Sequence, residues 1–332
     1  MTRFGRLTVS KRHVMGQYDS AFGISAYLQE KLVYVGQKEV YEEASATLEH
    51  LLDLDVCAKQ IERLCHHWGA RCEQIEADPV EGDHTYLMVD GSMILTREHD
   101  EDRDALKWRE MKLTRVFSER NRLELTENRR CIVKSDYVAH LGKSEELFEK
   151  LAPLLSELER PIVLGDGAQW IWNQVRARWP DAVEILDFYH ASENLHHFAN
   201  EMLACSVFGS EQEKHMWVHE QIEALLDDKI LQVLKCIASL DCRCERSREA
   251  QRKLLSYYES NWGRMYYRTY RRRGYMIGSG PIESAHRHVI QRRMKLAGQR
   301  WSVYGAQCMA NLRAVYASGK WNGLTQMIRK AA

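Results

Sequence analysis

The spacing of apolar residues along the chain changes twice and so divides it into segments of different secondary structure. Over residues 21–75 the apolar positions recur at helical intervals. Over 83–187 they form short alternating or continuous runs, which are typical of β-strands. Over 191–258 the pattern is helical again, and the stretch from 211 to 260 contains neither Gly nor Pro. Residues 1–20 show no pattern, and we expect a loose arm there.

The middle segment alternates between strand and helix patterns. Apolar runs predict strands at 85–92, 111–117, 130–135, 161–167 and 183–187. Helical patterns lie between the later runs, at 144–158 and 168–179, and Pro153 is expected to kink the first of these helices. This order of elements predicts an α/β fold with a mixed sheet of about five strands and helices on its faces.

The first helical segment contains two short helices, predicted at 41–52 and 58–65, with a tight connection between them. This arrangement is found both in DNA-binding helix-turn-helix motifs and in plain helical hairpins. The segment is not markedly basic, so the pattern leaves both interpretations open.

Composition narrows the class of protein. No apolar run is long enough to cross a membrane, and the first residues lack the apolar region of a secretion signal. The nine cysteines are odd in number and scattered, without the paired spacing of a structural zinc site. We therefore expect a cytoplasmic protein with reduced thiols and no membrane contact.

Charge is distributed very unevenly, although the formal net charge is zero. The residues from 264 to 332 contain fourteen Lys and Arg, and Glu283 is their only carboxylate. Such a basic tract favours binding of a polyanion such as DNA. Glu283 has two interpretations: it follows Pro281 in the first turn of a helix, where the helix dipole stabilises it, or it holds a divalent cation beside the nucleic-acid backbone.

Two further carboxylates, Asp90 and Asp166, each follow an apolar strand run and precede a glycine. Each alone is typical of a turn. On neighbouring strands, however, they would lie at one edge of the sheet and, with Glu283, form a three-carboxylate set suited to Mg²⁺ or Mn²⁺. Two ions held in this way activate a water or a 3′-hydroxyl and stabilise the leaving oxygen of a phosphodiester. Asp187, which also ends a strand run, is the alternative third ligand.

A competing pattern is Glu-x-x-His, the spacing of di-iron helical bundles. It occurs at Glu193–His196 and again at Glu283–His286. That interpretation requires a four-helix core, and both the strand runs around the two aspartates and the basic surroundings argue against it.

Four motifs in order resemble bacterial insertion-sequence DDE transposases of the ISKra type, which are similar to Mutator-like transposases. The motifs are Val-Asp-Gly at 89–91, Leu-Gly-Asp-Gly at 164–167, Asp-Phe-Tyr-His at 187–190 and Gly-Ser-Gly-Pro-Ile-Glu at 278–283. The sequences at 299–302 and 311–313 also look like the C-terminal pattern of the family, so the resemblance covers roughly residues 21–325.

This resemblance implies an RNase H-like core that is interrupted by an all-helical insertion. The expected organisation is a loose arm over 1–20, a helical, helix-turn-helix-like segment over 21–80, the first part of the core over 81–190, the insertion over 191–262, and the second part of the core with the basic region over 263–332. It also implies Asp90, Asp166 and Glu283 as catalytic metal ligands for two Mg²⁺ or Mn²⁺ ions, with His190 as an active-site accessory.

The implied activity is metal-dependent cleavage at transposon ends, followed by transfer of the freed 3′-hydroxyl into target double-stranded DNA by a homodimer or larger assembly. A DNA-binding protein derived from a transposase, without cleavage activity, is the alternative. His190 either donates to a phosphate or a metal-bound water as a neutral imidazole, or fixes Asp187. The residues expected to contact DNA are Arg271, Arg272, Arg273, Arg287, Arg292, Arg293, Lys295, Arg300 and Trp301; for the first three, a solvated turn is the alternative.

Overall fold

The computed structural model describes residues 22–75, 79–80, 82, 84–99, 106–126, 129–156 and 158–331, so the arm predicted at 1–20 lies outside the described residues. The strands are β1 (Thr85–His99), β2 (Leu106–Ser118), β3 (Arg122–Thr126), β4 (Arg129–Ile132), β5 (Asp136–His140), β6 (Ile162–Gly165) and β7 (Val183–Leu186). Five of them form one sheet in the order β5-β2-β1-β6-β7, while β3 and β4 pair separately.

The large sheet is mixed, as the sequence predicts. Strand β1 pairs antiparallel with β2, which pairs antiparallel with β5. On its other side β1 pairs parallel with β6, and β6 pairs parallel with β7. Because these pairings are parallel, β6, β7 and the part of β1 that pairs with β6 all end at the same edge of the sheet. Ligands bind at such edges in α/β proteins.

Two strand predictions are wrong in detail. The third strand of the large sheet is Asp136–His140, whereas the predicted run at 130–135 contributes only β4 of the small hairpin. Strand β1 does not end at Asp90, because β2 continues to pair with it as far as His99. Asp90 therefore lies inside a strand and only just beyond the part of β1 that pairs with β6.

Helices cover both faces of the sheet. They are α1 (Ala26–Gly36), α2 (Tyr41–Leu52), α3 (Ala58–Gly69), α4 (Ser144–Leu151), α5 (Gln169–Arg178), α6 (Phe188–Ala204), α7 (Glu211–Leu226), α8 (Ile230–Ala238), α9 (Glu245–Asn261), α10 (Tyr267–Arg272), α11 (Gly280–Ala285), α12 (Arg292–Met294), α13 (Val303–Ala317) and α14 (Trp321–Ala331). Helices α4 and α5 pack on one face, where Phe148 and Trp172 are fully buried. The other face packs against helices from both ends of the chain. Instead of kinking at Pro153, α4 ends at Leu151 and a 3₁₀ turn follows.

The N-terminal helices do not stand apart from the rest of the molecule. Helix α3 packs against α13, and α1 packs against α14. Five carboxylates are exposed on α2 and the connection after it, whereas the exposed cations of α3 are Lys59 and Arg63. Packing and charge both favour the helical-hairpin interpretation of this segment over the helix-turn-helix. The exposed carboxylates are Glu42, Glu43, Glu49, Asp53 and Asp55.

The segment predicted as an insertion is helical throughout, from α6 to α9. The Tyr258 hydroxyl on α9 donates a hydrogen bond to the Ala191 carbonyl on α6 at 2.9 Å. The Asp228 carboxylate accepts hydrogen bonds from the main-chain N–H groups of Arg268 and Thr269, which fixes the start of α10 to the connection between α7 and α8. None of the helices within the described ranges has the length and apolar character needed to span a bilayer.

Two buried arginines hold α1 against the C-terminal part of the chain. Arg313, on α13, donates to the main-chain carbonyls of Val289 and Gln37, both at 2.7 Å, and to that of His288. Arg293 donates to the Gly36 carbonyl at 3.2 Å. The planar guanidinium of Arg313 carries five N–H donors in a fixed fork and so reaches carbonyls in different directions, whereas an ammonium group has three donors at a single point.

We predict that Arg313→Lys lowers the free energy of unfolding by about 2–3 kcal/mol, because it leaves charged-group hydrogen bonds unmade at buried carbonyls. Urea denaturation measures the change. Arg300→Lys, at an exposed arginine, is the matched control and should change stability by less than about 0.5 kcal/mol. Equal stability of the Arg313→Lys variant and the wild type would contradict the role given to this guanidinium.

Candidate active site

Three aspartates lie at the same level on three adjacent parallel strands. Met88 pairs with Leu164 and Leu164 pairs with Ile185. Asp90, Asp166 and Asp187 lie two residues after Met88, Leu164 and Ile185, respectively. They therefore continue the same register just past the ends of β6 and β7. The strands therefore bring Asp90 and Asp166 together, as the sequence predicts, and add Asp187 beside them.

The environment of Asp90 disfavours its negative charge. Burial raises the pKa of the Asp90 carboxyl, and the neighbouring charge of Asp166 raises it further. One carboxylate oxygen accepts a hydrogen bond from the Gly91 main-chain N–H at 2.7 Å. The other lies 3.3 Å from Nε2 of His286. A cation bound beside Asp90 and Asp166 would relieve this unfavourable interaction.

Asp166 follows β6 and is held by its own turn. Its carboxylate accepts a hydrogen bond from the Ala168 N–H at 2.9 Å, and its main-chain carbonyl accepts one from the Tyr257 hydroxyl at 2.8 Å. The next residue, Gly167, has φ +96°, and a Cβ there would lie 2.8 Å from the Tyr257 ring. A glycine is required at this position both for the backbone conformation and for the close approach of α9.

Asp187 is fully buried and uses its carboxylate entirely within the protein. One oxygen accepts hydrogen bonds from the main-chain N–H groups of Tyr189 and Ser279, and the other accepts from the Ser279 hydroxyl and the His190 main-chain N–H. The His190 ring nitrogen Nδ1 lies 2.5 Å from that second oxygen. Burial acts to raise the pKa of Asp187, but the hydrogen bonds from His190 and Ser279 outweigh it and lower this pKa. With five hydrogen bonds to three residues, Asp187 serves as an internal anchor and has little capacity left as a third metal ligand.

His190 faces the aspartates from the first turn of α6. Its hydrogen bond with Asp187 raises its pKa to about 9, and the charges of Asp187, Asp166 and Asp90 contribute. The imidazole is therefore a cation at neutral pH, fixed by Asp187. This favours the structural alternative for His190 over the neutral donor.

Glu283 lies in the first turn of α11, directly after Pro281, as one interpretation of the sequence predicts. It is exposed, and one oxygen of its carboxylate lies 2.9 Å from the Ser279 hydroxyl oxygen, whose single proton is shared between Asp187 and Glu283. Glu283 and Asp90 line the same open cleft of about 670 Å³. The other side chains lining this cleft include Ser92, Ser284, His286, Arg287, His288, Gln291 and Arg292. The structure thus brings both carboxylates to one cavity without joining them directly.

His286 is a site residue whose position beside Asp90 the sequence did not reveal. It is 3% exposed, and its Nε2 lies 3.3 Å from the Asp90 carboxylate. Burial lowers its pKa, so the ring is neutral beside Asp90. A π-helix over His286–Gln291 begins at this residue, and such wide turns are frequent at functional sites. The Glu-x-x-His spacing noted in the sequence was the available signal, because it places His286 one turn after Glu283.

The residues expected to contact DNA divide into two groups. Arg271, Arg272, Arg273, Arg287, Arg292, Lys295 and Arg300 are exposed, and Arg287 and Arg292 line the cleft. Arg293 is 1% exposed, between the rings of Tyr41 and Trp301. Trp301 is 6% exposed, and its indole N–H donates to the Met294 carbonyl at 3.0 Å. These two side chains pack inside the protein, so we remove them from the DNA-contact set.

The residues present fit a divalent cation only in part. Asp90 and Asp166 supply the hard oxygen ligands that Mg²⁺ and Mn²⁺ prefer. In the described part of the chain, however, no group of three or more His, Cys, Asp or Glu side chains is arranged to hold a metal ion. Glu283 therefore does not complete a site with the two aspartates in this structure. The same observation removes the support for a di-iron centre, and Glu193 and His196 are both exposed on α6.

Neither the models of known protein families nor the curated proteins compared with this chain give a match. The chain's own residues and their geometry therefore carry the functional assignment.

We predict that His190 titrates near pH 9 in the folded protein. A raised pKa means that the protonated imidazole stabilises the fold fully below about pH 6.5 and that this contribution is lost as the pH rises through 9. The stability difference between wild type and His190→Gln should therefore be largest near pH 6, at no more than about 3 kcal/mol, and should shrink above pH 9.

Histidine NMR titration measures the pKa directly, and denaturant unfolding at several pH values measures the stability difference. In Asp187→Asn, the pKa of His190 should fall back towards 6.5, because the main interaction that raises it is removed. A wild-type pKa near 6.5 would contradict the ion pair.

Proposed function

We propose that the protein is a DDE-type transposase that cleaves DNA strands in a metal-dependent reaction and transfers the 3′-hydroxyl end into target DNA. The observation that supports this most is that the register of adjacent parallel strands places Asp90 and Asp166 at the same level. Asp90 also lines a cleft with Glu283. This is the arrangement that the resemblance to insertion-sequence transposases leads one to expect.

The sheet supports an RNase H-like core for this enzyme. Three antiparallel strands precede two that run parallel to the first, and the first strand lies in the middle of the order β5-β2-β1-β6-β7. An RNase H-like fold has this order and these directions. The helical segment α6–α9 lies between β7 and the helix of Glu283, where the resemblance implies an insertion.

The charges around the cleft support a phosphodiester substrate. Arg287 and Arg292 line it, and Lys295 donates to the Ser92 hydroxyl at its rim. Exposed cations neutralise phosphates and release counterions, which is the main source of affinity for DNA of any sequence. Asp90 and Glu283 line the same cleft as these arginines. A DNA backbone bound by the arginines would therefore lie close to both carboxylates.

Asp90 and Asp166 would hold Mg²⁺ or Mn²⁺, with Glu283 contributing from the same cleft. A metal centre held by these residues would supply activation of the attacking hydroxyl and stabilisation of the leaving oxygen. The chain's own groups prepare the site: Asp187 holds His190 as a cation facing both aspartates, which offsets part of their mutual repulsion. Ser279 connects Asp187 to Glu283 through its hydroxyl.

A transposase-derived DNA-binding protein without cleavage activity is the second candidate. The lack of any three-ligand metal group within the described ranges favours it, because the carboxylates are not assembled as a set. Under either proposal the partner is double-stranded DNA. Under the first, two or more copies assemble on transposon ends in the cytoplasm.

We predict that Asp90→Asn, Asp166→Asn and Glu283→Gln each reduce strand cleavage by at least about a hundredfold, because each removes a ligand worth several kcal/mol in the transition state. DNA affinity should stay within a few-fold of wild type. Glu193→Gln, at an exposed carboxylate on α6, is the control and should keep full activity. Cleavage is measured on labelled duplex DNA with Mg²⁺. Substantial cleavage by one of the three variants would remove that residue from the site, and an inactive wild type that binds DNA would favour the second candidate.

We also predict that replacing Arg271, Arg272 and Arg273 together by Ala weakens binding to all DNA sequences. The slope of log affinity against log salt concentration should become less steep, by an amount that corresponds to the loss of up to about three phosphate contacts. The control replaces three other exposed arginines, Arg243, Arg248 and Arg252, on and before α9. If both triple variants bind alike, the three arginines at the end of α10 form only a solvated turn.

A further inference from the structure

An exposed tyrosine lies directly beside the residues that hold the candidate site. Tyr189 follows Asp187 by two positions in the first turn of α6, and it is 61% exposed. Its main-chain N–H donates to the Asp187 carboxylate at 3.3 Å. Single exposed aromatic residues are common on protein surfaces, so the surroundings of the ring decide whether this one has a use.

The fold keeps the Tyr189 ring in one place. The ring packs against Gly278 so closely that a Cβ on that glycine would lie 2.5 Å from the ring atom Cε2. The neighbouring Phe188 ring lies edge-on to it, with the centroids 6.0 Å apart, and the Phe188 main-chain N–H donates to the Ile277 carbonyl at 2.8 Å. The ring is therefore braced by residues 277 and 278, while most of the side chain stays open to solvent.

The braced ring lies close to the cleft that Asp90 and Glu283 line. Gly280 belongs to the lining of that cleft. It follows Gly278 by two residues, which span at most about 7 Å of chain. A phosphodiester bound in the cleft would therefore have a flanking nucleotide within reach of the tyrosine.

An aromatic ring beside a phosphodiester site is suited to recognise the face of a base. In a paired duplex the grooves present only base edges. An unpaired base exposes its faces, and aromatic side chains that bind single strands stack on them with little regard to sequence. Stacking on one ring gains no more than unpairing a base costs. A single tyrosine therefore favours DNA in which a base is already unpaired.

The charge of the cleft favours a nucleotide strand over an apolar partner. Arg287 and Arg292 line the cleft, and an apolar partner would cover them without supplying a counter-charge. A nucleotide strand offers a phosphate to the arginines and an aromatic base to the tyrosine.

Two other exposed aromatic residues form a rival stacking surface. Trp262 is 48% exposed and Tyr266 is 38% exposed. Both lie before α10, whose last turn carries Arg271 and Arg272. Tyr189 is favoured over them because it packs against the segment that leads into the helix of Glu283.

We propose that Tyr189 is a stacking surface for an unpaired base beside the phosphodiester in the cleft. The preferred substrate of the site is then DNA with an unpaired nucleotide next to the position of cleavage. This inference rests on the proposed function, because it takes the cleft as the place where the DNA backbone binds, and it adds the form of DNA that binds there.

Binding of the full-length protein to two forms of DNA tests the inference without cleavage. The probes are labelled duplexes with a 5′ or a 3′ single-stranded overhang and a fully paired duplex of the same sequence, all without divalent metal. The wild type should bind an overhang duplex at least about fivefold more tightly than the paired one. Tyr189→Ala should lose this preference and bind the paired duplex like wild type, whereas Tyr189→Phe, which keeps a ring, should retain it. Tyr27→Ala, at a tyrosine on α1 that is 70% exposed, is the matched control and should also retain it.

Photo-cross-linking locates the contact. A 5-iodouracil placed in the overhang next to the duplex reacts, on irradiation, with an aromatic side chain stacked on it. Trypsin cleaves after Arg178 and Lys214, so Tyr189 lies in peptide 179–214. We expect the cross-linked base on this peptide, at Tyr189.

The outcomes separate this inference from the proposed function. Equal affinity of the wild type for both forms of DNA, a preference that Tyr189→Ala keeps, or cross-links confined to Trp262 or Tyr266 would each overturn the inference alone. A wild type that binds neither form of DNA would contradict the proposed function and the inference together.

Discussion

The candidate site depends on one buried carboxylate, that of Asp187. A fully buried carboxylate is stable only when hydrogen bonds replace its hydration. Asp187 obtains them from two segments that are distant in the sequence: the first turn of α6, through Tyr189 and His190, and the loop before α11, through Ser279. One side chain thereby joins the end of β7, the start of α6 and the loop that leads into the helix of Glu283. Tight packing adds to this joint, since a Cβ on Gly278 would lie 2.5 Å from the Tyr189 ring.

Buried arginines fix the Glu283 segment at its two ends. Arg115, on β2, donates to the Pro281 carbonyl at 2.8 Å, and Arg313 donates to the carbonyls of His288 and Val289 in the π-helix. A π-helix leaves main-chain groups without their usual partners, and these guanidinium bonds satisfy some of them. The positive charge of the C-terminal region therefore has two uses. Part of it is buried and holds the Glu283 segment in place, and the exposed part remains available for a polyanion.

Much of the fold could be predicted from the sequence because it depends on local pattern: four of the five strands of the large sheet follow apolar runs. The fifth, Asp136–His140, begins and ends on polar residues whose burial depends on distant partners, such as Lys320, 2.6 Å from Asp136. Similarly, the sequence predicts Arg293 as a DNA contact, and only the fold shows that its side chain donates a hydrogen bond to the Gly36 carbonyl. Strand register was predictable enough to bring Asp90 and Asp166 together. The roles of Asp187 and His286 could not be predicted from the sequence. They depend on burial and on hydrogen bonds to residues that only the folded chain brings near.

The central proposal is that Asp90 and Asp166 hold a cation at the edge of the sheet and that Glu283 contributes from the cleft beside them. Iron-mediated affinity cleavage tests it most directly, because Fe²⁺ bound in place of Mg²⁺ generates radicals that cut the polypeptide only near the bound ion. With ascorbate and peroxide, the account predicts backbone cuts near residues 90, 166 and 283 that excess Mg²⁺ suppresses and that Asp166→Asn abolishes. Cuts that are absent from these three segments, or that Mg²⁺ does not suppress, would contradict it.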